Sequence, residues 1–155
     1  MTPRRSFLAR ASGGALLLVS GHRTLEALAV PTPITVYKDP SCGCCNSWVT
    51  YLKTGGFAPE VHDDTAMDAR KDRLGVPAAM RSCHTAQVGG YLVEGHVPAA
   101  DIRRMLKEKP AIAGLAIPGM PMSAPGMAQP GAPVTPYQVI AFDKRGATHV
   151  YTSYK

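Results

Sequence analysis

The chain has 155 residues, with 17 Lys and Arg against 11 Asp and Glu and a formal net charge of +6. Four of the basic residues (Arg4, Arg5, Arg10, Arg23) and one acidic residue (Glu26) fall before position 30, so the charge of the remainder drops to +3. That remainder carries no Lys/Arg run interleaved with aromatics, which argues against nucleic acid as a partner, and its length suits one ordinary domain with its own core.

The first 29 residues read as a leader. Arg4-Arg5 precede Ser6-Phe7-Leu8, an apolar run extends from Ala11 to Val19, and Ala27-Leu28-Ala29 offers a small-residue cleavage site. Together and in this order they predict a twin-arginine export signal at 1–29. Ser12, Gly13 and Gly14 interrupt the apolar run, which falls well short of the ~20 residues of a membrane span. The competing reading is an amphipathic N-terminal helix of a cytosolic protein. The expected organisation is therefore a signal peptide at 1–29 and one domain at 30–155, with no stable membrane association once the signal is removed.

Residues 34–38, ITVYK, are rich in β-branched and aromatic side chains and stop at Asp39-Pro40, which predicts a strand and a turn. Ser41 is then placed to cap a helix over 42–54, whose apolar Cys45, Trp48, Val49 and Leu52 recur with helical spacing before Gly55-Gly56. FAPEVH (57–62) predicts a second strand and residues 65–74 a short polar helix. TAQV (85–88) and YLVEGHV (91–97), joined by Gly89-Gly90, predict a hairpin, and Pro98 opens a third helix with Ile102, Met105 and Leu106 on one face. The order β-α-β-α-β-β-α matches the thioredoxin-like architecture, an α/β fold with a mixed sheet flanked by helices and a functional turn after the first strand. Residues 110–136 are a long Met/Pro/Gly-rich stretch, read as a functional loop or a linker. YQVIAF and ATHVYTSY around DKRG predict a C-terminal hairpin.

The chemistry concentrates in DPSCGCCN, residues 39–46. Cys42 and Cys45, one helical turn apart, are within reach of each other. A bridge between adjacent Cys44 and Cys45 would be strained, because their Cα atoms sit only ~3.8 Å apart. A redox pair needs only Cys42 and Cys45, which leaves Cys44 surplus. A helix N-terminus favours thiolates, yet three crowded thiolates repel unless a cation shares them, and soft thiolates select Cu(I) or zinc. Adjacent cysteines suit a single tetrahedral zinc poorly, whereas sulfurs that bridge several Cu(I) ions can each point at a different metal. Cys83, just before the third strand, is expected to face this turn if the fold is thioredoxin-like.

Each residue has a structural alternative. The CGCC cysteines suit disulfides of an exported protein, and Cys83 an inert thiol or a disulfide partner. His84 reads as a ligand or a turn residue, and His96 as a ligand or a hydrogen-bonding group where the third helix begins. His62 and His149 read as solvated or as satisfied within strands. Met120, Met122 and Met127 lie in a Gly/Pro loop where they cannot all be core filler, which leaves a thioether role open for Met120 and Met127.

CGCC after a strand, followed by SCHTA (82–86), GYLVEGHVP (90–98), GLAIPGMP (114–121) and APGM (124–127), resembles the CopG-type periplasmic copper-resistance proteins from about Ile34 to Tyr154. The resemblance implies a periplasmic, copper-binding, thioredoxin-like domain with a cysteine cluster, as a thiolate-bridged multinuclear site, in a frame that permits redox exchange between Cu(I) and Cu(II). Carried onto this chain, it places metal at Cys42, Cys44, Cys45 and Cys83, with His84, His96 and Met120 nearby. Met122-Ser123-Ala124 and Ala128 depart from the family's methionine loop but leave Met120 and Met127 in register. Copper ions are the expected partner, together with periplasmic copper chaperones or efflux components that exchange them. The alternatives are a thiol–disulfide oxidoreductase or copper reductase working through Cys42 and Cys45, and a structural zinc protein.

Overall fold

The computed structural model describes residues 30–129 and 131–155; the expected leader at 1–29 lies outside the described residues. Seven strands form one mixed sheet in the order β2-β1-β3-β4-β5-β6-β7. Strands β1 (Thr32–Lys38) and β2 (Phe57–Asp63) pair in parallel, joined by helix α1 (Gly43–Thr54). Helix α2 (Met67–Leu74) and a 3-10 turn at Ala78–Met80 lead into β3 (His84–Val88), antiparallel to β1, and β4 (Tyr91–Glu94) closes the predicted hairpin. Helix α3 (Ala99–Glu108) follows. This is the thioredoxin-like α/β arrangement expected from the element order.

Trp48, Val49 and Leu52 of α1 bury against the sheet with Ile34, Val36, Ala86 and Val93, and Ile102 and Met105 of α3 join the same core. The spacing that predicted α1 is thus the spacing that packs it.

Several boundaries differ from the sequence reading. Ser41 does not cap α1: its amide and hydroxyl both donate to the Asp39 carboxylate, at 2.8 and 2.5 Å, and Cys42 occupies the N-cap position. Helix α2 starts at Met67 rather than 65, because the Asp64 carboxylate takes the Ala66 amide at 2.8 Å. The strand read over 91–97 ends at Glu94, since Gly95 turns the chain at φ +72°. Pro98 precedes α3 as its N-cap instead of forming its first residue.

The stretch read as structureless contains β5 (Gly114–Ala116), which pairs in parallel with β4. Local sequence does not announce it, because a three-residue strand buried on both sides needs only small and apolar residues. Strands β6 (Tyr137–Phe142) and β7 (Thr148–Tyr154) extend the sheet past β5. Val139 and Ala141, two residues apart on β6, are both buried, whereas Val150, across the register shift at Val139/Ile140, is half exposed. No helix among the described residues is long and apolar enough to cross a membrane.

Candidate metal centre

The turn after β1 is locked before any ligand is considered. Asp39 accepts from Ser41 through its carboxylate and from the Cys42 amide through its carbonyl at 3.0 Å. The Ser41 hydrogen bonds hold the Asp39 carboxyl below its ordinary range. Cys42 therefore enters α1 with extended backbone, and Cys45 lies one turn along, fully buried. Cys42 and Cys45 are joined in a disulfide with Cα atoms 5.4 Å apart, inside the usual range for such bonds. Cys44 is free and half-buried, with its sulfur 3.6 Å from that of Cys42.

The fourth sulfur arrives through the sheet. Antiparallel pairing sets Lys38 opposite His84, and continuing that register by one residue sets Cys83 beside the Asp39 turn. One sulfur from each of Cys42, Cys44, Cys45 and Cys83 lies within 4.8 Å of the others. Burial and the nearby Cys44 push the Cys83 thiol up to about 12. In the metal-free chain Cys83 is thus a protonated thiol, and a bound cation would have to displace its proton.

The histidines sit behind the sulfurs. The Cys83 sulfur is 3.2 Å from His84 Nδ1, and the His84 ring packs between Trp48, at 4.3 Å between centroids, and His96, at 5.0 Å. Both rings are fully buried. His96 donates Nδ1–H to the Pro125 carbonyl at 2.8 Å, which leaves the lone pair on Nε2. Neither His84 Nε2 nor His96 Nε2 has a hydrogen-bond partner. Burial holds both imidazoles below their ordinary 6.5, His84 well below with added repulsion from His96 and Lys71, so both are neutral and fit to ligate.

The Met/Pro/Gly segment covers this assembly. Gly126, at φ +80°, lies so close to α1 that a Cβ there would stand 2.7 Å from the Trp48 amide nitrogen. Ala124 is buried beside it, and Met127 packs against the core. Met120 (φ +46°) and Met122 are exposed on the same loop. The structure thus brings the four cysteines and both predicted histidines together, while Met120 faces solvent. His62 is half exposed beside Glu60, and His149 lies on exposed β7.

Sequence reasoning missed the support beneath Cys83. Glu94, fully buried, accepts from Lys71 Nζ at 2.5 Å and the Ser82 amide at 2.6 Å through one oxygen, and from the Thr85 hydroxyl at 2.5 Å through the other. Ser82 and Thr85 flank the Cys83-His84 dipeptide, so one carboxylate grips both ends of the segment that presents a sulfur and an imidazole. The only signal in the sequence was an acidic residue in the apolar run YLVEGHV. The helix carrying Lys71, MDARKDRL, reads as a short polar helix.

A cleft of about 600 Å³ between Pro118, Pro121, Tyr137 and Tyr154 contains none of these donors. The sulfur and nitrogen atoms form a packed cluster, which suits an ion better than an organic ligand.

The profile of a family described as "Protein of unknown function, DUF411" matches residues 80–127. Two solved structures are similar to this chain. "Copper resistance protein copG- Form 2" is 43% identical, with a TM-score of 0.76, over 81% of this chain and 99% of that one. "Copper resistance protein copG- Form 1" is 44% identical, with a TM-score of 0.75, over 80% of this chain and 98% of that one. No curated protein sequence matches significantly.

Proposed function

The chain belongs to the CopG family of copper resistance proteins, and we propose from that premise that it is an exported copper-binding protein of copper tolerance. In its reduced form Cys42, Cys44, Cys45 and Cys83 hold Cu(I) as a thiolate cluster, with His84, His96, Met120 and Met127 as further ligands. The observation that carries this reading is the convergence of four sulfurs within 4.8 Å, one of them delivered by a different strand. Several thiolates balanced by several monovalent ions lower the repulsion of gathering like charges. Residues 1–29 direct twin-arginine export and are removed, leaving 30–155 as the periplasmic domain. That domain exchanges copper with chaperones or efflux components.

The test is a Cu(I) titration of the fully reduced chain against a competing chelator. Binding is expected to collapse when Cys44 and Cys45 are both changed to Ala. A stoichiometry of zero, or binding unchanged in that variant, overturns the proposal.

The Cys42–Cys45 disulfide favours a second reading, thiol–disulfide or copper-reducing chemistry at that pair. Opening the bond consumes two electrons and two protons and frees two sulfurs; closing it returns two electrons, enough to reduce two Cu(II) to two Cu(I). This reading predicts insulin reduction that survives the Cys44→Ser, Cys83→Ser double change. Loss of that activity argues against it.

A further inference from the structure

The cleft of about 600 Å³ beyond the end of β5 takes no part in the cysteine centre, since no cysteine or histidine lines it. Its walls are Ile117, Pro118, Pro121, Ile140, Tyr137 and Tyr154. Gln138 and Ser153 supply neutral hydrogen-bonding groups, and Lys155 is the one charged side chain in the lining. We propose that this cleft binds a neutral, planar aromatic molecule of one or two rings that carries a carbonyl acceptor.

The walls set the shape of the ligand. Tyr137 and Tyr154 are partners across the β6–β7 pairing, and their rings stack at 4.7 Å with planes 12° apart. The Tyr154 hydroxyl donates to the buried Asp101 carboxylate at 2.6 Å, which ties the pair to helix α3. Pro118 and Pro121 have no side-chain rotamers to lose. These walls are fixed before a ligand arrives, so little ordering cost is charged against binding. Flat, rigid, apolar surfaces match a planar ring, and the volume falls within the ~300–1,000 Å³ of small-molecule sites.

The polar groups set its charge. Gln138 and Ser153 are directly paired, so their side chains leave the sheet side by side on one face, and Ile140 shares that face two residues along β6. The Gln138 amide and the Ser153 hydroxyl can both donate to a single carbonyl oxygen. No Asp or Glu lines the cleft, so a cation finds no partner there. Lys155 is exposed, and a screened ammonium holds an anion only weakly. A neutral ring with one acceptor answers all the groups present.

Because the cleft contains none of the cysteines, its test is independent of copper. The probe is coumarin, a neutral two-ring lactone, titrated into the isotopically labelled, metal-free chain with amide NMR as the readout. Saturable shifts are expected at residues 117–121, 137–140 and 153–155, with a Kd in the low millimolar range or tighter. Cyclohexanone, which has the carbonyl but no planar ring, should give no saturable shifts. Coumarin-3-carboxylate should bind no more than about 5-fold tighter than coumarin, the most an exposed ion pair with Lys155 supplies. Gln138→Leu should weaken coumarin at least about 2-fold, and Ser153→Trp, at an exposed position of the edge strand, should fill the cleft and abolish binding. Absence of saturation, shifts centred elsewhere, equal binding of cyclohexanone, a carboxylate preference above about 5-fold, or binding unchanged in Ser153→Trp would each overturn the proposal. So would a dimer by sedimentation whose interface covers these residues, since the occupant would then be a second copy of the chain.

Discussion

Replacing Lys71 by Met tests the buried carboxylate grip on the Cys83 segment. Met keeps most of the side-chain volume, so the change removes chiefly the cation 2.5 Å from Glu94. Both groups are essentially inaccessible, 2% and 0% exposed, so no solvent compensates. Breaking such a pair by removing one partner ordinarily costs about 3–5 kcal/mol. Here the cost has a ceiling, because Glu94 can escape by taking a proton. Burial already pushes it above its ordinary 4.5, and Lys71 is what pulls it down. Protonating a carboxyl of that ordinary value costs about 3.4 kcal/mol at pH 7, at about 1.4 kcal/mol per pH unit, and only about 0.7 kcal/mol at pH 5. Lys71→Met should therefore lose roughly 3 kcal/mol at pH 7 and under about 1 kcal/mol at pH 5. Urea unfolding of the disulfide-intact protein at both pH values measures this, read as the difference from the unmodified chain so that titrations common to both cancel. Adding Glu94→Gln to Lys71→Met should remove the pH dependence of the difference. An equal loss at both pH values, or a loss near zero at pH 7, would show that the pair is not the buried charge couple described.

The buried neutral histidines predict a second pH effect in the metal-free chain. Their folded values lie below the unfolded 6.5, so stability is fully present above 6.5 and falls as pH drops below it, by up to about 1.4 kcal/mol per pH unit for each imidazole; a flat profile from pH 7 to 5 would contradict their burial. Alkylation of the disulfide form near pH 8, mapped by mass spectrometry, should label Cys44 well before Cys83, whose thiol is pushed up to about 12. Gly126→Ala places a side chain in the left-handed region and against the Trp48 backbone, so it should cost at least about 1–2 kcal/mol and open the 118–136 segment to limited proteolysis; unchanged proteolysis would mean that the loop does not dock there.

Elements that announce themselves locally were legible in the chain. The strand before Asp39-Pro40, the apolar spacing of Cys45, Trp48, Val49 and Leu52, and the Gly89-Gly90 hairpin each encode their conformation within a few residues. The CGCC cluster marked itself as the candidate site in the same way, because three sulfurs crowd into four positions, while the choice among disulfide, redox pair and metal ligand was left open. Strand β5 was not legible, since Gly-Leu-Ala carries no period and is a strand only because β4 and β6 lie on either side. The Lys71–Glu94 pair was hidden because its members are 23 residues apart, on a helix that reads as solvated and a strand that reads as apolar.

By itself, then, the sequence determined which atoms could bind a soft ion and the thioredoxin-like order of elements that would carry them. The tertiary structure decided which of those atoms meet. Antiparallel pairing of β1 with β3 brings Cys83 to the turn; the packing of Trp48, His84 and His96, tilted and edge-on, buries two imidazoles behind it; and the Pro125 carbonyl fixes which nitrogen of His96 stays free. Ligand identity is a property of single residues, but a shared coordination sphere is a property of distances, and those are set only when distant segments pack.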